Sequence, residues 1–79
     1  MAGRSPTDID RQIGQRIVHY RQAAGVTQKD AAAALGISFQ QFQKYEKGQN
    51  RISAGNLHAL AIRLCVPVER FFDVREEAF

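Results

Sequence analysis

Two helices joined by a glycine turn are predicted by TQKDAAAALGISFQQFQKYEKG, residues 27–48. Thr27 has the character of a helix N-cap, with Asp30 at the reciprocal position three residues later. The helix that follows is nearly all alanine up to Leu35, and Gly36 ends it. Because alanine side chains are small, we expect a neighbouring helix to approach this one closely.

The second of these helices divides into two faces. It begins at the N-cap Ser38, with Gln41 as its capping-box partner, runs to about Lys47 and stops at Gly48. At about 100° per residue, one arc supplies the cap and the core contacts, namely Ser38, Gln41, Phe42 and Tyr45. The opposite arc, which we call the outer face, carries Phe39, Gln40, Gln43, Lys44 and Lys47.

The outer face has the chemistry needed to read DNA bases. Glutamine can pair in bidentate fashion with adenine, lysine can donate to guanine or to a phosphate, and an apolar group can meet the thymine methyl. The alternative is a solvated surface, since glutamine and lysine are good helix formers. Phe39 favours a ligand, because an exposed phenylalanine is unfavourable unless it is covered, although it can also fold back on Ile37.

The rest of the chain also predicts helices, so the fold class is all-α. A first helix is capped by Thr7 and Asp10 and ends at Gly25. A fourth begins at the cap Ser53, and a short fifth follows Pro67. In the first helix Ile9, Ile13, Ile17, Tyr20 and Ala24 fall at helical spacing. The fourth is expected to bury Leu57, Leu60, Ala61 and Leu64, and the fifth carries Val68, Phe71 and Phe72. We predict one domain at residues 7–74, between short tails at 1–6 and 75–79.

Length and charge favour a single binding surface. The 79 residues carry a net charge of +3, but the segment from Arg11 to Arg63 has eight basic residues and two acidic ones. The segment after residue 64 is net acidic. A basic body suits a polyanionic partner, although an ordinary solvated surface gives a similar count.

No feature of the sequence indicates export or membrane spanning. Cys65 is the single cysteine, and its apolar neighbours predict a small buried side chain in a reducing compartment. No run of about 18 apolar residues occurs. A cytoplasmic, nucleoid-associated protein is expected.

Residues from Ile13 to Phe72 resemble the Cro and phage-repressor (XRE) type of helix-turn-helix domain. The matching pieces are Ile-Gly-x-Arg-Ile (13–17), Arg21, Gly25-Val26-Thr27-Gln28, Leu35-Gly36-Ile37-Ser38, Tyr45-Glu46-Lys47-Gly48 and Val68 through Phe72. The stretch 38–51 further resembles a group of short bacterial regulators. Each piece is weak alone, but their order and spacing are specific. The resemblance implies a compact five-helix, lambda-repressor-like domain whose second and third helices form the helix-turn-helix.

The resemblance also implies roles for individual residues. The positions matching base contacts are Ser38, Phe39, Gln40 and Lys44, and those matching phosphate contacts are Gln28, Gln43, Lys47, Asn50 and Arg51. Arg21 and Glu46 match an ion pair that joins the first helix to the end of the third. The implied partner is double-stranded DNA with a palindromic operator, bound by a homodimer that represses transcription.

A dimer surface is expected on the last two helices. Val68, Phe71, Phe72 and Phe79 offer more apolar surface than one small core needs.

Two positions depart from the family. Ala31 stands where a larger aliphatic residue is usual, so closer packing or a contribution from Phe42 is expected. Cys65 stands where glycine is usual, which puts the bend before Pro67 in doubt.

Other functions are less well supported by the sequence. His19 and His58 are isolated, no serine lies in a nucleophile elbow and the carboxylates form no recognisable pair, so no enzyme activity is expected. A metal site would need both histidines and Cys65 to converge, and neither a metal, a cofactor nor a small-molecule ligand is expected. An antitoxin-like interaction module with autoregulatory DNA binding is the alternative, which the short tails disfavour.

Overall fold

A computed structural model describes residues 7–72, which form four α-helices and a 3₁₀ helix. The α-helices are α1 at Asp8–Ala23, α2 at Gln28–Leu35, α3 at Phe39–Glu46 and α4 at Ala54–Leu64, and the 3₁₀ helix is Val68–Phe72. The prediction of an all-helical domain is confirmed over these residues, but the fifth predicted helix is a 3₁₀ turn. The segment after Pro67 is a 3₁₀ helix of five residues, the tighter helix that proteins use in short pieces.

Each α-helix begins at the cap that the sequence predicts. The hydroxyl oxygens of Thr7, Thr27, Ser38 and Ser53 each accept a hydrogen bond from the backbone N–H three residues later. At Thr7 the carboxylate of Asp10 also accepts from the Thr7 N–H at 2.7 Å, which completes a capping box. Gly36 ends α2 in the left-handed conformation, with φ of 69°. The helix boundaries are therefore largely determined by local chemistry.

The core lies between α2 packed against α3 and α4, and α1 packed against α3 and the 3₁₀ helix, which also contacts α4. Phe42, Phe71, Ile17 and Leu60 are its largest fully buried side chains. Ala31 is also fully buried, so the small residue is accommodated by close packing, as expected from its departure from the family pattern. No helix within residues 7–72 has both the length and the apolar character needed to cross a membrane.

Two predictions about apolar residues were wrong. Phe71 was expected on a dimer surface, but it is fully buried and its ring meets Tyr20 edge to face, with 6.0 Å between centroids. Cys65 was expected to be buried, but it is exposed. It occupies the C-cap of α4 in the left-handed conformation, with φ of 60°, so the bend before Pro67 forms without a glycine. Phe79 lies outside the described residues.

The crossing of α1 and α3 depends on Gly14. A Cβ atom at this position would lie 2.5 Å from the carbonyl oxygen of Glu46 and 2.7 Å from that of Tyr45. Both atoms belong to the backbone, so neither can rotate away. The absence of a side chain at Gly14 therefore lets the C-terminal turn of α3 rest directly on α1, and this contact sets the direction of α3.

Candidate nucleic-acid interface

The outer face of α3 projects from the domain while the opposite face is buried. Phe42 is fully buried, and Tyr45 and Glu46 are 8% and 7% exposed. On the other side, the exposed side chains are those of Gln40, Lys44 and Lys47, and Phe39 and Gln43 are half-buried. The N-cap Ser38 is exposed as well. The structure thus places the four residues predicted to read bases on one accessible side of one helix and its cap.

Phe39 is partly covered by the preceding helix. The ammonium group of Lys29, in the first turn of α2, lies 6.0 Å from the centroid of the Phe39 ring. This distance is at the outer limit of a cation–π contact. The aromatic side chain is therefore neither fully solvated nor part of the core, and it carries a positive charge close to its face.

A buried ion pair fastens the end of α3 to α1. The Arg21 Nε donates to Glu46 Oε2 at 2.6 Å, and Nη2 donates to Oε1 at 3.4 Å. Arg21 Nη1 also donates to the carbonyl oxygen of Val26 at 2.9 Å, in the turn between α1 and α2. The two residues that the family resemblance pairs are thus in contact, and both are buried.

Two glutamines extend this network toward the surface. Gln28 Nε2 donates to Glu46 Oε1 at 2.7 Å, and Gln43 Nε2 is 3.5 Å from Gln28 Oε1. Glu46 therefore accepts from both α1 and α2. Because an amide nitrogen carries two N–H groups, Gln28 keeps one donor after bonding Glu46. The family resemblance assigns Gln28 and Gln43 only phosphate roles and does not indicate that they contact each other.

The loop after α3 is held against both α3 and α1. Its backbone returns to α3 through a hydrogen bond from Gln49 N to the Lys44 carbonyl oxygen at 2.9 Å. Asn50 Nδ2 approaches Gln41 Oε1 at 3.4 Å. Gly48 packs on α1, since a Cβ there would lie 2.6 Å from the Arg11 Cα. The loop therefore has a defined position beside the outer face.

Arg51 is engaged with the first turn of α1. Its Nε lies 3.3 and 3.2 Å from the two carboxylate oxygens of Asp10, and its Nη2 lies 3.2 Å from Oδ2. Burial alone would raise the pKa of the Asp10 carboxyl, but hydrogen bonds from Thr7 and Arg51 outweigh that effect and hold its pKa below the ordinary value. The family resemblance places Arg51 at a phosphate, and it did not indicate this carboxylate partner.

Comparison with known proteins identifies the family. A family model described as a helix-turn-helix domain matches residues 12–71. The chain therefore belongs to this helix-turn-helix family, which confirms the resemblance found in the sequence.

Within the described residues, no three or more His, Cys, Asp or Glu side chains come together as a metal site.

Its relatives in this family are transcriptional regulators. The chain is 47% identical over 64 residues to a transcriptional regulator in the ATPase CF(0) region of Rhodospirillum rubrum, covering 81% of this chain and 59% of the relative. It is 44% identical over 70 residues to an HTH-type transcriptional regulator of Sinorhizobium medicae, covering 89% of this chain and 50% of the relative. The chain thus spans between half and three fifths of the length of these two proteins.

Solved structures show the same fold. The restriction-modification controller protein C.AhdI of Aeromonas hydrophila superimposes with a TM-score of 0.75 at 29% identity, covering 82% of this chain and 97% of that one. The clp gene regulator ClgR of Corynebacterium glutamicum superimposes with a TM-score of 0.79 at 21% identity, covering 84% and 70%. The second likeness is one of fold alone.

Proposed function

We propose that this chain is a sequence-specific DNA-binding transcriptional regulator, a repressor that binds a palindromic operator as a homodimer. The observation that carries the proposal is the division of α3, whose inner side is fastened to α1 and α2 while its outer face exposes Gln40, Lys44 and Lys47. A major groove is wide enough to admit one helix of this kind. The relatives named as transcriptional regulators support the same conclusion.

In this proposal the outer face, together with the α3 cap, the start of α2 and the loop after α3, is divided between base and backbone contacts. Ser38, Phe39, Gln40 and Lys44 meet base edges, and the phosphate contacts come from Gln28, Gln43, Lys47 and Asn50. The N–H groups at the start of α2 add to the attraction for phosphate at Gln28. Arg51 is assigned to the same backbone contact by the family resemblance, but its ion pair with Asp10 modifies that role.

The salt dependence of two alanine variants tests the placement of α3. Gln40→Ala should weaken cognate binding by about 1–3 kcal/mol per half-site with little effect on random DNA, because a base contact depends on sequence. The salt slope should stay nearly unchanged, because a base contact releases no counterions. Lys47→Ala should weaken cognate and random DNA alike and reduce the slope of log affinity against log salt by about one unit per lost contact. Fluorescence anisotropy titrations over a salt series measure both quantities.

The control for the glutamine change is Gln22→Ala, since Gln22 is exposed on α1 and lies outside the proposed interface. This variant should leave affinity and specificity unchanged. If Gln40→Ala flattened the salt slope while Lys47→Ala altered base preference, α3 would be rotated in the groove relative to our placement. If neither variant changed binding, α3 would not be the DNA-reading helix.

We place the dimer surface on the exposed apolar side chains of α4 and the 3₁₀ helix. Ile62 in α4 is 65% exposed, and in the 3₁₀ helix Phe72 is 50% exposed and Val68 is half-buried against the core. The surface excludes Phe71, which is buried, and includes Ile62, which the sequence pattern did not suggest. Half-site centres should then lie about 10 base pairs, or roughly 34 Å, apart.

Phe72→Glu should convert the dimer to monomers at micromolar concentration, because a charge would be buried in an apolar contact. Ile9→Glu is the matched control, since Ile9 is also 50% exposed but lies on α1, and it should remain dimeric. Sedimentation equilibrium measures the change. A Phe72→Glu protein with an unaltered dimer dissociation constant, or a wild-type monomer bound to a single half-site, would rule out this surface.

A further inference from the structure

We propose that Asp10 withholds Arg51 from the DNA backbone and thereby limits the sequence-independent affinity of the domain. This inference rests on the proposed DNA-binding function and assigns a role to a residue outside α2 and α3. Asp10 lies 41 positions before Arg51 in the chain, and the fold brings their side chains together. The proposed effect is on the number of phosphates that the protein can neutralise.

The carboxylate is the fixed member of the pair. The Asp10 side chain is 10% exposed and also accepts from the Thr7 backbone N–H at 2.7 Å, so the α1 cap holds it in place. The Arg51 side chain is 53% exposed. The Arg51 guanidinium therefore has to break its contacts with the Asp10 carboxylate before it can meet a phosphate. If it keeps them, the negative charge of the carboxylate stays close to the phosphate and opposes the contact.

The pair lies at the edge of the proposed DNA surface. Arg51 follows α3 by a short loop that is bonded back to the Lys44 carbonyl oxygen, and the exposed Lys47 lies at the start of this loop. An acid at this position offsets one of the positive charges that face the backbone. Because phosphate attraction does not depend on base sequence, the offset weakens binding to every duplex equally and leaves the base contacts of α3 a larger share of the binding free energy.

The test compares two substitutions that remove the same charge from the same helical turn. Asp10→Asn keeps an oxygen to accept from Thr7 but weakens the hold on Arg51. Asp8→Asn is the control, since Asp8 pairs with Arg11 rather than Arg51 and its side chain is 83% exposed. The probe is a random-sequence duplex, titrated over a salt series by fluorescence anisotropy, and circular dichroism verifies that each variant is folded.

We expect Asp10→Asn to bind more tightly than wild type and to steepen the slope of log affinity against log salt by about 0.9 per subunit. Its advantage over wild type should therefore shrink roughly 3.5-fold per subunit between 50 and 200 mM salt. Asp8→Asn should keep the wild-type slope. Arg51→Ala should also keep it, because in wild type Asp10 already holds the guanidinium, and Asp10→Asn should have no effect on the slope in an Arg51→Ala background.

Three results would overturn the inference. The first is an equal salt slope for Asp10→Asn and Asp8→Asn, and the second is an Asp10→Asn effect on the slope that persists in the Arg51→Ala background. The third is a salt slope that falls by about one unit in Arg51→Ala alone, which would make Arg51 an ordinary phosphate contact. The last variant keeps the test decisive even if Asp10→Asn fails to fold. Wild-type protein that binds no duplex at any salt concentration would overturn the proposed DNA-binding function itself, and this inference with it.

Discussion

Arg21→Ala should lower the free energy of unfolding by about 3–5 kcal/mol, because it leaves the Glu46 carboxylate buried without its cation. Glu46 is only 7% exposed, so water cannot replace the two lost hydrogen bonds. The Val26 carbonyl oxygen loses a donor as well. Urea unfolding monitored by circular dichroism measures the change. DNA affinity should fall too, since the end of α3 is no longer fastened to α1.

A double-mutant cycle separates this interaction from lost packing. Glu46→Ala in the Arg21→Ala background should recover part of the lost stability, since the uncompensated charge is then removed. Arg63→Ala is the matched control, because Arg63 is exposed on α4, and it should change stability by no more than about 0.5 kcal/mol. Strict additivity of the two single changes would show that Arg21 and Glu46 do not stabilise each other.

Gly14→Ala should destabilise the domain by at least the roughly 1–3 kcal/mol typical of overpacked positions. The added methyl group would lie 2.5 Å from one backbone carbonyl oxygen and 2.7 Å from another, so α1 and α3 must separate. Cognate DNA binding should weaken in the fraction that still folds, because α3 leaves its orientation. The measurements are the urea midpoint and the affinity for the operator.

The same substitution at Gly55 provides the control. Gly55 lies in α4 with no neighbouring atom within 4 Å of an added Cβ. Gly55→Ala should therefore stabilise the domain by about 0.4–1 kcal/mol, because alanine restricts the unfolded chain more than glycine does. We expect the free energy of unfolding to fall in Gly14→Ala and to rise in Gly55→Ala. Similar shifts at both would mean that the α1–α3 crossing tolerates a side chain.

The sequence predicted the features that depend on neighbours along the chain. The caps at Thr7, Thr27, Ser38 and Ser53 are made within one turn of helix, so their residue types and spacing reveal them. The two sides of α3 follow from helical periodicity in the same way. These local patterns were sufficient to predict both the helix boundaries and the accessible side of α3.

Features that depend on distant contacts were not predicted. Phe71 and Phe72 are adjacent phenylalanines in a 3₁₀ turn, and no periodicity over so short a segment indicates which one is buried. The contact between Asp10 and Arg51 joins residues 41 positions apart, and each has an adequate local explanation as a cap or a loop cation. Cys65 has apolar neighbours in the chain, but it lies at the left-handed C-cap of α4 and is exposed.

The separation between the two sides of α3 has a consequence for divergence among related regulators. The side chains that fix the helix, Phe42, Tyr45 and Glu46, are different from those that project outward, among them Gln40 and Lys44. Substitutions at the outward positions therefore leave the scaffold intact. In the proposed DNA complex, exchanging a few of these surface residues would change the operator preference without refolding the domain. Duplicated copies of one gene would then acquire separate targets through individually viable steps.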